Sequence, residues 1–299
     1  MLRCKDMTDC TLVTCALVPD LDPDDRLLLR EMQRRGLDVS VEVWNAPETD
    51  WSASALCVLR STWDYHVRYD EFVGWIDRAS AVTRLQNGPH LLKWNADKSY
   101  LRALQGRGVP IVPTAWVARG ERCSLARLAG MRGWRDLVLK PAKGLAGHGV
   151  SLVRRGAKSF AAAQAKLDHL TQTYDMLVQP YLEGVFGYGE RALIFIDGRY
   201  SHAIVKKPFD TLLAISDADS SLVEATGDEI AIASKALEAV PALTLYARVD
   251  LLRDDDQNVC VSELELIEPA LYFGVYEPAR VALADAVIRQ LAALTEALS

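Results

Sequence analysis

The sequence predicts an α/β chain: a parallel sheet in its first third, then α+β in the half that follows. Three observations carry this. Apolar strand runs alternate with amphipathic helices through residues 11–93. Strand pairs joined by short polar turns dominate the region after residue 190. Half of the 299 residues are hydrophobic and 25% are charged, the mix of a globular protein long enough for two or three domains.

TLVTCALV (Thr11 to Val18) is a buried-strand run. Leu21 to Arg35 reads as a helix with an acidic start, an apolar face of Leu27, Leu28 and Met32, and Gly36 as its stop. Asp38 to Trp44 alternates as a strand, and Ala55 to Ser61 is a second buried strand. Helices between strands at this spacing argue for a parallel sheet, which binds ligands at the carboxyl ends of its strands. RSTWDYH lies at such an end, so Arg60, Ser61, Thr62, Asp64 and Tyr65 are substrate candidates by position.

A second section opens near Leu92 with a helix expected over Asp97 to Gln105. Gly108 to Thr114 reads as a turn and strand, Asp136 to Lys140 as a strand, and Gly149 to Arg155 as its antiparallel partner. An Ala-rich helix (Lys158 to Gln172) and a strand (Asp175 to Leu182) close the section. The third section holds a hairpin, Arg191 to Lys206, turning at Asp197-Gly198. A helix over Glu229 to Val240 follows, then the strand pair LYARVDLL and VCVSELELI. A helical stripe from Val281 to Leu294 ends the chain. The expected domains are therefore 1–93, 94–180 and 181–299.

With 34 Lys plus Arg against 40 Asp plus Glu, the net charge is -6. That argues against nucleic acid and against an anionic membrane surface as partners. No apolar run approaches the ~18 residues of a membrane span. The start, MLRCKDMTDC, lacks a signal peptide's apolar core, so a cytoplasmic protein is expected. The six cysteines (Cys4, Cys10, Cys15, Cys57, Cys123, Cys260) form no CxxC pair and read as free thiols. The five scattered histidines show no zinc spacing, which leaves carboxylates, lysines and backbone amides to carry the chemistry.

The strongest local signal is LVLKPAKGLAGHGVSLV. A strand ends in Lys140, and a loop with Gly144, Gly147 and Gly149 leads into another strand. Successive backbone N–H groups in such a loop cradle anions, and a Lys at its mouth adds a full charge. The alternative is a glycine-rich hairpin with a surface lysine. Neither a P-loop nor a dinucleotide fingerprint is present. The second signal is acidic: Asp250 in ARVDLL, Glu263 and Glu265 in VSELELIEP, and Glu268 beyond. Residues two apart on a strand share a face. Carboxylates on an otherwise apolar strand pair are costly unless a cation joins them, and hard oxygens suit Mg²⁺. A solvated face balanced by Arg248 and Arg253 is the alternative. The third signal is VQPYLEG, where a strand runs into Pro180 and loses a ladder donor. Such a break offers backbone groups to an adenine, with Glu183 and Glu190 suited to ribose hydroxyls; a plain domain crossover is the alternative.

Taken in order, these motifs resemble the ATP-grasp superfamily over Asn95 to Leu271. The resemblance implies an ATP-grasp fold preceded by a Rossmann-like pre-ATP-grasp domain. It also implies ATP and Mg²⁺ as cofactors. NADK, ending in Lys98, resembles the first phosphate-contacting lysine and LVLKPAKG the second, Lys140. GLAGHG resembles the phosphate lid, which brings in Gly144, Gly147 and Gly149. VQPYLEG resembles the adenine hinge, implying nucleotide contacts from Gln179, Pro180, Tyr181, Leu182, Glu183 and Glu190. ELELIEPAL resembles the metal-binding strand, implying Asp250, Glu263 and Glu265 as metal ligands. Lys140, Arg248 and Lys207 are the implied catalytic cations, and Glu268 joins Arg60, Ser61, Thr62, Asp64 and Tyr65 around a small amino acid-like substrate.

The chain departs from the family in three places. Glu263-Leu264-Glu265 replaces the usual E-x-N, His148 stands in the lid, and the segment after Lys206-Lys207 lacks the basic, glycine-rich loop of peptide-forming relatives. The implied activity is carboxylate activation as an acyl phosphate followed by nitrogen attack, here expected within one molecule. An intermolecular amide- or dipeptide-forming ligase and a non-catalytic ATP-binding regulatory protein are the alternatives. A homodimer is the assembly considered.

Overall fold

The computed structural model describes residues 7–144, 149–206 and 220–297. Its first sheet is parallel, in the order β2-β1-β3-β4. It is built from β1 (Thr8–Thr14), β2 (Val39–Val43), β3 (Ser54–Ser61) and β4 (Arg84–Gln86). Helices α1 (Asp25–Arg34) and α2 (Tyr69–Ser80) make the crossovers. The helix expected from Leu21 starts at Asp25 instead, because Leu21 sits at φ 67° and Pro23 follows.

The helix expected over Asp97 to Gln105 forms as α4 (Tyr100–Gly106), starting three residues later, and a helix that was not expected, α3 (Pro89–Asn95), precedes it across a short break. The break has a local cause. The Asp97 carboxylate accepts from the Ser99 N–H at 2.9 Å, while the Lys98 N–H donates to the Ala142 carbonyl at 2.8 Å. The expected strand over Gly108 to Thr114 reduces to one bridge, Ile111 to Val261. Pro110 and Pro113 have no N–H for a ladder, so the regular strand, β5 (Ala115–Val117), begins after them.

The second sheet has the order β5-β8-β6-β7 and is antiparallel. It comprises β5, β6 (Leu137–Pro141), β7 (Ser151–Val153) and β8 (Met176–Pro180), with α5 (Leu125–Arg132) and α6 (Ala157–Leu170) packed beside it. After α7 (Val185–Tyr188) comes the third sheet, β11-β10-β9-β12-β13, also antiparallel. Its strands are β9 (Glu190–Ile196), β10 (Arg199–Lys206), β11 (Ser220–Val223), β12 (Tyr246–Arg253) and β13 (Val259–Glu265). The β9–β10 turn places Asp197 and Gly198 both at positive φ, as a type I′ hairpin requires.

Strand alternation gives the third sheet two different faces. Leu193, Phe195, Ala247, Val249 and Leu251 share one core with Ala233 and Ala236 of α8 (Gly227–Glu238). Ala192, Ile194, Ile196 and Tyr246 share another with β1, β3, α1 and the last helix, α9 (Glu277–Ala297). The chain's final helix thus completes the core of its first sheet. Arg248 and Asp250 alternate in register with Tyr246 on this second face, which aims them toward the seam with the first sheet.

Candidate active site

The seam is built from side chains that substitute for backbone partners. Asn87 donates to the Tyr246 and Leu266 carbonyls at 2.9 and 2.7 Å and accepts from the Leu245 N–H at 2.6 Å. Asn95 does the same for the strand end, donating to Leu264 O at 2.8 Å and accepting from Leu266 N at 2.7 Å. The Tyr246 hydroxyl lies 2.8 Å from Leu59 O and 2.9 Å from Ile267 O. These three residues fix where β13 leaves the sheet, and the sequence reading missed all three.

Four cations and four acids meet at this strand end. Arg248 and Asp250 on β12 stand opposite Glu265 and Glu263 on β13. Asp250 accepts from Arg248 at 2.9 and 3.0 Å and from Lys206 at 2.8 Å. Lys206 also lies 3.0 Å from Glu190, which accepts from the Ser262 hydroxyl at 2.8 Å. Arg248 bridges from Asp250 to Glu265. Glu263 Oε1 faces Lys140 at 3.5 Å and Lys98 at 4.0 Å, and Lys98 also donates to Gly144 O at 2.5 Å. The break between α3 and α4 is what puts Lys98 within reach of Lys140.

The charges are unevenly balanced. Burial alone raises a carboxyl's pKa, but Arg248 and Lys206 outweigh it at Asp250 and hold that acid at about 2. At Glu263 the burial effect is likewise outweighed, by Lys98 and Lys140, and the acid is lowered. At Lys206 burial favours the neutral amine, yet Asp250 and Glu190 keep it cationic. Glu265 has less help: burial lifts it to about 7 despite Arg248. Glu268 is lifted well above the usual carboxylate range by burial and by its neighbour Glu265.

The hinge residues lie on and after β8. Gln179 is buried and donates to the Thr114 hydroxyl at 2.9 Å. Pro180, Tyr181 and Glu183 line a cavity of about 190 Å³ with Asp136 and Asp255. The Tyr181 N–H is engaged by Asp136 O at 2.8 Å, and Leu182 is buried against Val112 and Cys260. Glu190, expected at a ribose, stands instead in the Lys206–Asp250–Ser262 network. A larger cavity of about 1000 Å³, between α5 and α6, contains none of the expected residues.

Several substrate candidates have structural partners instead. Arg60 is 1% exposed, donates to Asp25 at 2.9 Å and to Pro269 O at 2.6 Å, and lies over the Tyr246 ring at 5.0 Å. Ser61 donates to the other Asp25 oxygen at 2.6 Å. Asp64 accepts from the Trp44 indole at 2.7 Å. Tyr65 is buried and stacked on Phe72 at 4.8 Å, and burial followed by Glu268 raises its phenol. Arg60, Ser61 and Asp64 thus each hold a structural partner in Asp25, Pro269 or Trp44, while Arg60 Nη1 is left without one among the described residues. Thr62 and Glu268 differ, since Thr62 Oγ1 and Glu268 Oε2 are buried without a partner among the described residues. Gly147 and Lys207 lie outside the described residues, as does His148.

Residues 10–87 match the family described as the N-terminal domain of the D-cycloserine synthetase DcsG. The cycloserine biosynthesis protein DcsG of Streptomyces lavendulae is 35% identical over 294 residues, 94% of this chain and 98% of that protein. The chain belongs to the DcsG family. The crystal structure of D-cycloserine synthetase DcsG matches with a TM-score of 0.87 at 33% identity, covering 94% of this chain and 99% of that one. The ATP-grasp ligase PsnB, complexed with a precursor peptide and AMPPNP, matches at 0.64 and 17% identity over 97% of this chain and 99% of its own. The DcsG-family chain accordingly has the ATP-grasp fold expected from its motifs. Among its described residues no helix is long and apolar enough to cross a membrane, and five cysteines are free.

The donor set also bears on Mg²⁺. Among the described residues no three acids converge as a ready-made cage. The chemistry nevertheless fits a hard cation. Asp250 accepts three hydrogen bonds on about four lone-pair sites. Glu263 and Glu265 add carboxylates on the facing strand, Glu263 beside Lys98 and Lys140 and Glu265 on Arg248.

Proposed function

We propose that this chain is an ATP- and Mg²⁺-dependent ligase that closes O-ureido-D-serine into D-cycloserine. The observation that carries the reading is the convergence of Lys98 and Lys140 on Glu263, beside the Arg248–Asp250–Lys206 network, in a chain of the DcsG family. In this reading Lys98, Lys140 and the backbone at Gly144 and Gly149 hold the ATP phosphates. Gln179 to Glu183 hold the adenine and ribose. Asp250, Glu263 and Glu265 would hold Mg²⁺, which when bound would neutralise phosphate charge.

The substrate carboxylate attacks the γ-phosphorus, ADP leaves, and an acyl phosphate forms. The nitrogen bonded to the substrate's side-chain oxygen then attacks the acyl carbon and phosphate departs, closing the ring. Water removes the carbamoyl group from the ring nitrogen as carbon dioxide and ammonia. Arg248, held by Asp250 and Glu265, is oriented to stabilise the oxyanion of the ring-closing step. A nucleophile on the same molecule outcompetes water through its high effective concentration. The segment after Lys206 carries no basic, glycine-rich acceptor loop, which supports a reaction within one molecule.

The test is incubation with ATP, Mg²⁺ and O-ureido-D-serine alone, with product read by mass spectrometry. Cyclic product in step with ADP supports the reading. Phosphate release only after a second amino acid is added, with a linear amide as product, replaces it with an intermolecular ligase.

A further inference from the structure

Two buried polar atoms at the end of β3 and the exit of β13 have no partner among the described residues: Thr62 Oγ1 and Glu268 Oε2. Thr62 is 0% exposed and Glu268 4%. An unpaired carboxylate at that depth is costly unless a cation completes it. The nearby cations are already engaged. Arg60 is paired with Asp25 and Pro269 O, and Arg248 serves Asp250 and Glu265. Arg60 Nη1 likewise has no partner among the described residues, but the guanidinium lies over the Tyr246 and Phe273 rings, which partly compensate it.

We propose that Glu268, with Thr62, is the anchor for the α-ammonium group of the substrate, and so selects zwitterionic amino acids over plain carboxylic acids. The proposal rests on the ligase reading for the identity of the substrate. An ammonium group is donor-only and carries three N–H bonds, so it suits a carboxylate oxygen and a hydroxyl oxygen together. A second Mg²⁺ suits the place less well. It demands six oxygens in octahedral array, whereas the surroundings of Glu268 include the Arg60 guanidinium and the buried Tyr65 ring.

The fold explains how the anchor is aimed. Asp25 holds Arg60, Arg60 holds the Pro269 carbonyl, and Pro269 fixes the backbone next to Glu268. Asp24 holds the following turn by accepting from Phe273 N at 2.8 Å and Gly274 N at 2.6 Å. With the carboxylate of the same substrate directed at Arg248, two charged groups on one carbon are read by two residues of one loop and strand.

The experiment compares O-ureido-D-serine with 3-(ureidooxy)propanoic acid, which lacks only the amino group, on the full chain with ATP and Mg²⁺. Wild type is expected to favour the amino compound in kcat/KM by roughly 100-fold, as for one buried charge-assisted contact. Glu268→Gln is expected to raise KM for the amino compound and leave the deamino compound unchanged, so that the preference collapses. Thr62→Val is expected to move the ratio the same way by a smaller factor, and it supplies the reading if the Glu268 variant does not fold. An undiminished preference in the variants overturns the proposal, as does a changed Mg²⁺ requirement with the preference intact. Calorimetric binding of both compounds beside a non-hydrolysable ATP analogue separates the two readings. Selective binding without cyclisation overturns the cyclase reading and leaves the ammonium site standing. Equal binding with cyclisation does the reverse.

Discussion

Lys98 and Lys140 converge on one carboxylate oxygen, Glu263 Oε1, from different elements of the chain. Lys98 arrives from the break between two helices and Lys140 from the end of a strand. Two ammonium groups on one acid form a positive mouth that a polyphosphate can take over.

Replacing Lys140 with Ala is therefore expected to abolish ATP turnover while the protein stays folded. Lys140 makes one ion pair at 3.5 Å and is not part of the buried core, so its loss leaves packing intact. Circular dichroism with an ADP-release assay checks both halves, and unchanged turnover in a folded variant removes Lys140 from the phosphate site.

Glu263→Gln and Glu265→Gln are each expected to raise the Mg²⁺ concentration needed for half-maximal activity by tenfold or more, roughly one lost charged ligand. Gln keeps the shape and removes the charge. Full activity of wild type after exhaustive EDTA treatment would make the acids purely structural.

Asp250→Asn is expected to cost about 3–5 kcal/mol of stability, because it leaves Lys206 and Arg248 short of their buried counter-charge. Urea denaturation measures it. A loss below about 1 kcal/mol would mean that the pair is rehydrated rather than buried.

Acid sensitivity is expected from His202, which is buried, stacked on Tyr276 at 4.6 Å, and lowered by burial to about 4. Its folded pKa lies below the unfolded value, so the unfolded chain binds the extra proton between roughly pH 6.5 and 4. This contribution is fully present above pH 6.5 and shrinks as pH falls through that window, by about 2 kcal/mol at pH 5. A His202→Phe variant should show a flatter stability profile between pH 7 and 5, and an unchanged slope would exclude the histidine as its source.

Gly189→Ala is expected to disturb the site without touching a charged group. Gly189 sits at φ 79°, and a Cβ there would come within 2.6 Å of Val205 and 3.1 Å of the Lys206 carbonyl. The strand carrying Lys206 must shift, so both stability and turnover should fall, and crystallography of the variant would show Lys206 displaced from Asp250.

The charged ends of the site were legible because they sit in short motifs with local logic. Lys140 at a strand end before glycines, and Glu263 and Glu265 two apart on a strand, need no long-range information. Arg60 shows the limit. A cation ending an apolar strand reads as a ligand contact, yet its partner Asp25 lies 35 residues away and no periodicity links them. Asn87 and Asn95 were invisible for the same reason, since their partners are backbone atoms of strands far along the chain. The misplaced strand over Gly108 to Thr114 came from counting apolar residues without subtracting the two prolines' missing donors.

The final helix packs among β1, β3 and α1, with Leu283, Ala284 and Val287 fully buried there. That helix is made more than two hundred residues after the sheet strand it covers first. The first sheet therefore leaves the exit tunnel with part of its apolar surface uncovered, and stays so until residues 277–297 have followed it. A chain truncated before residue 277 should accordingly be a chaperone-bound, protease-sensitive product rather than a smaller working enzyme.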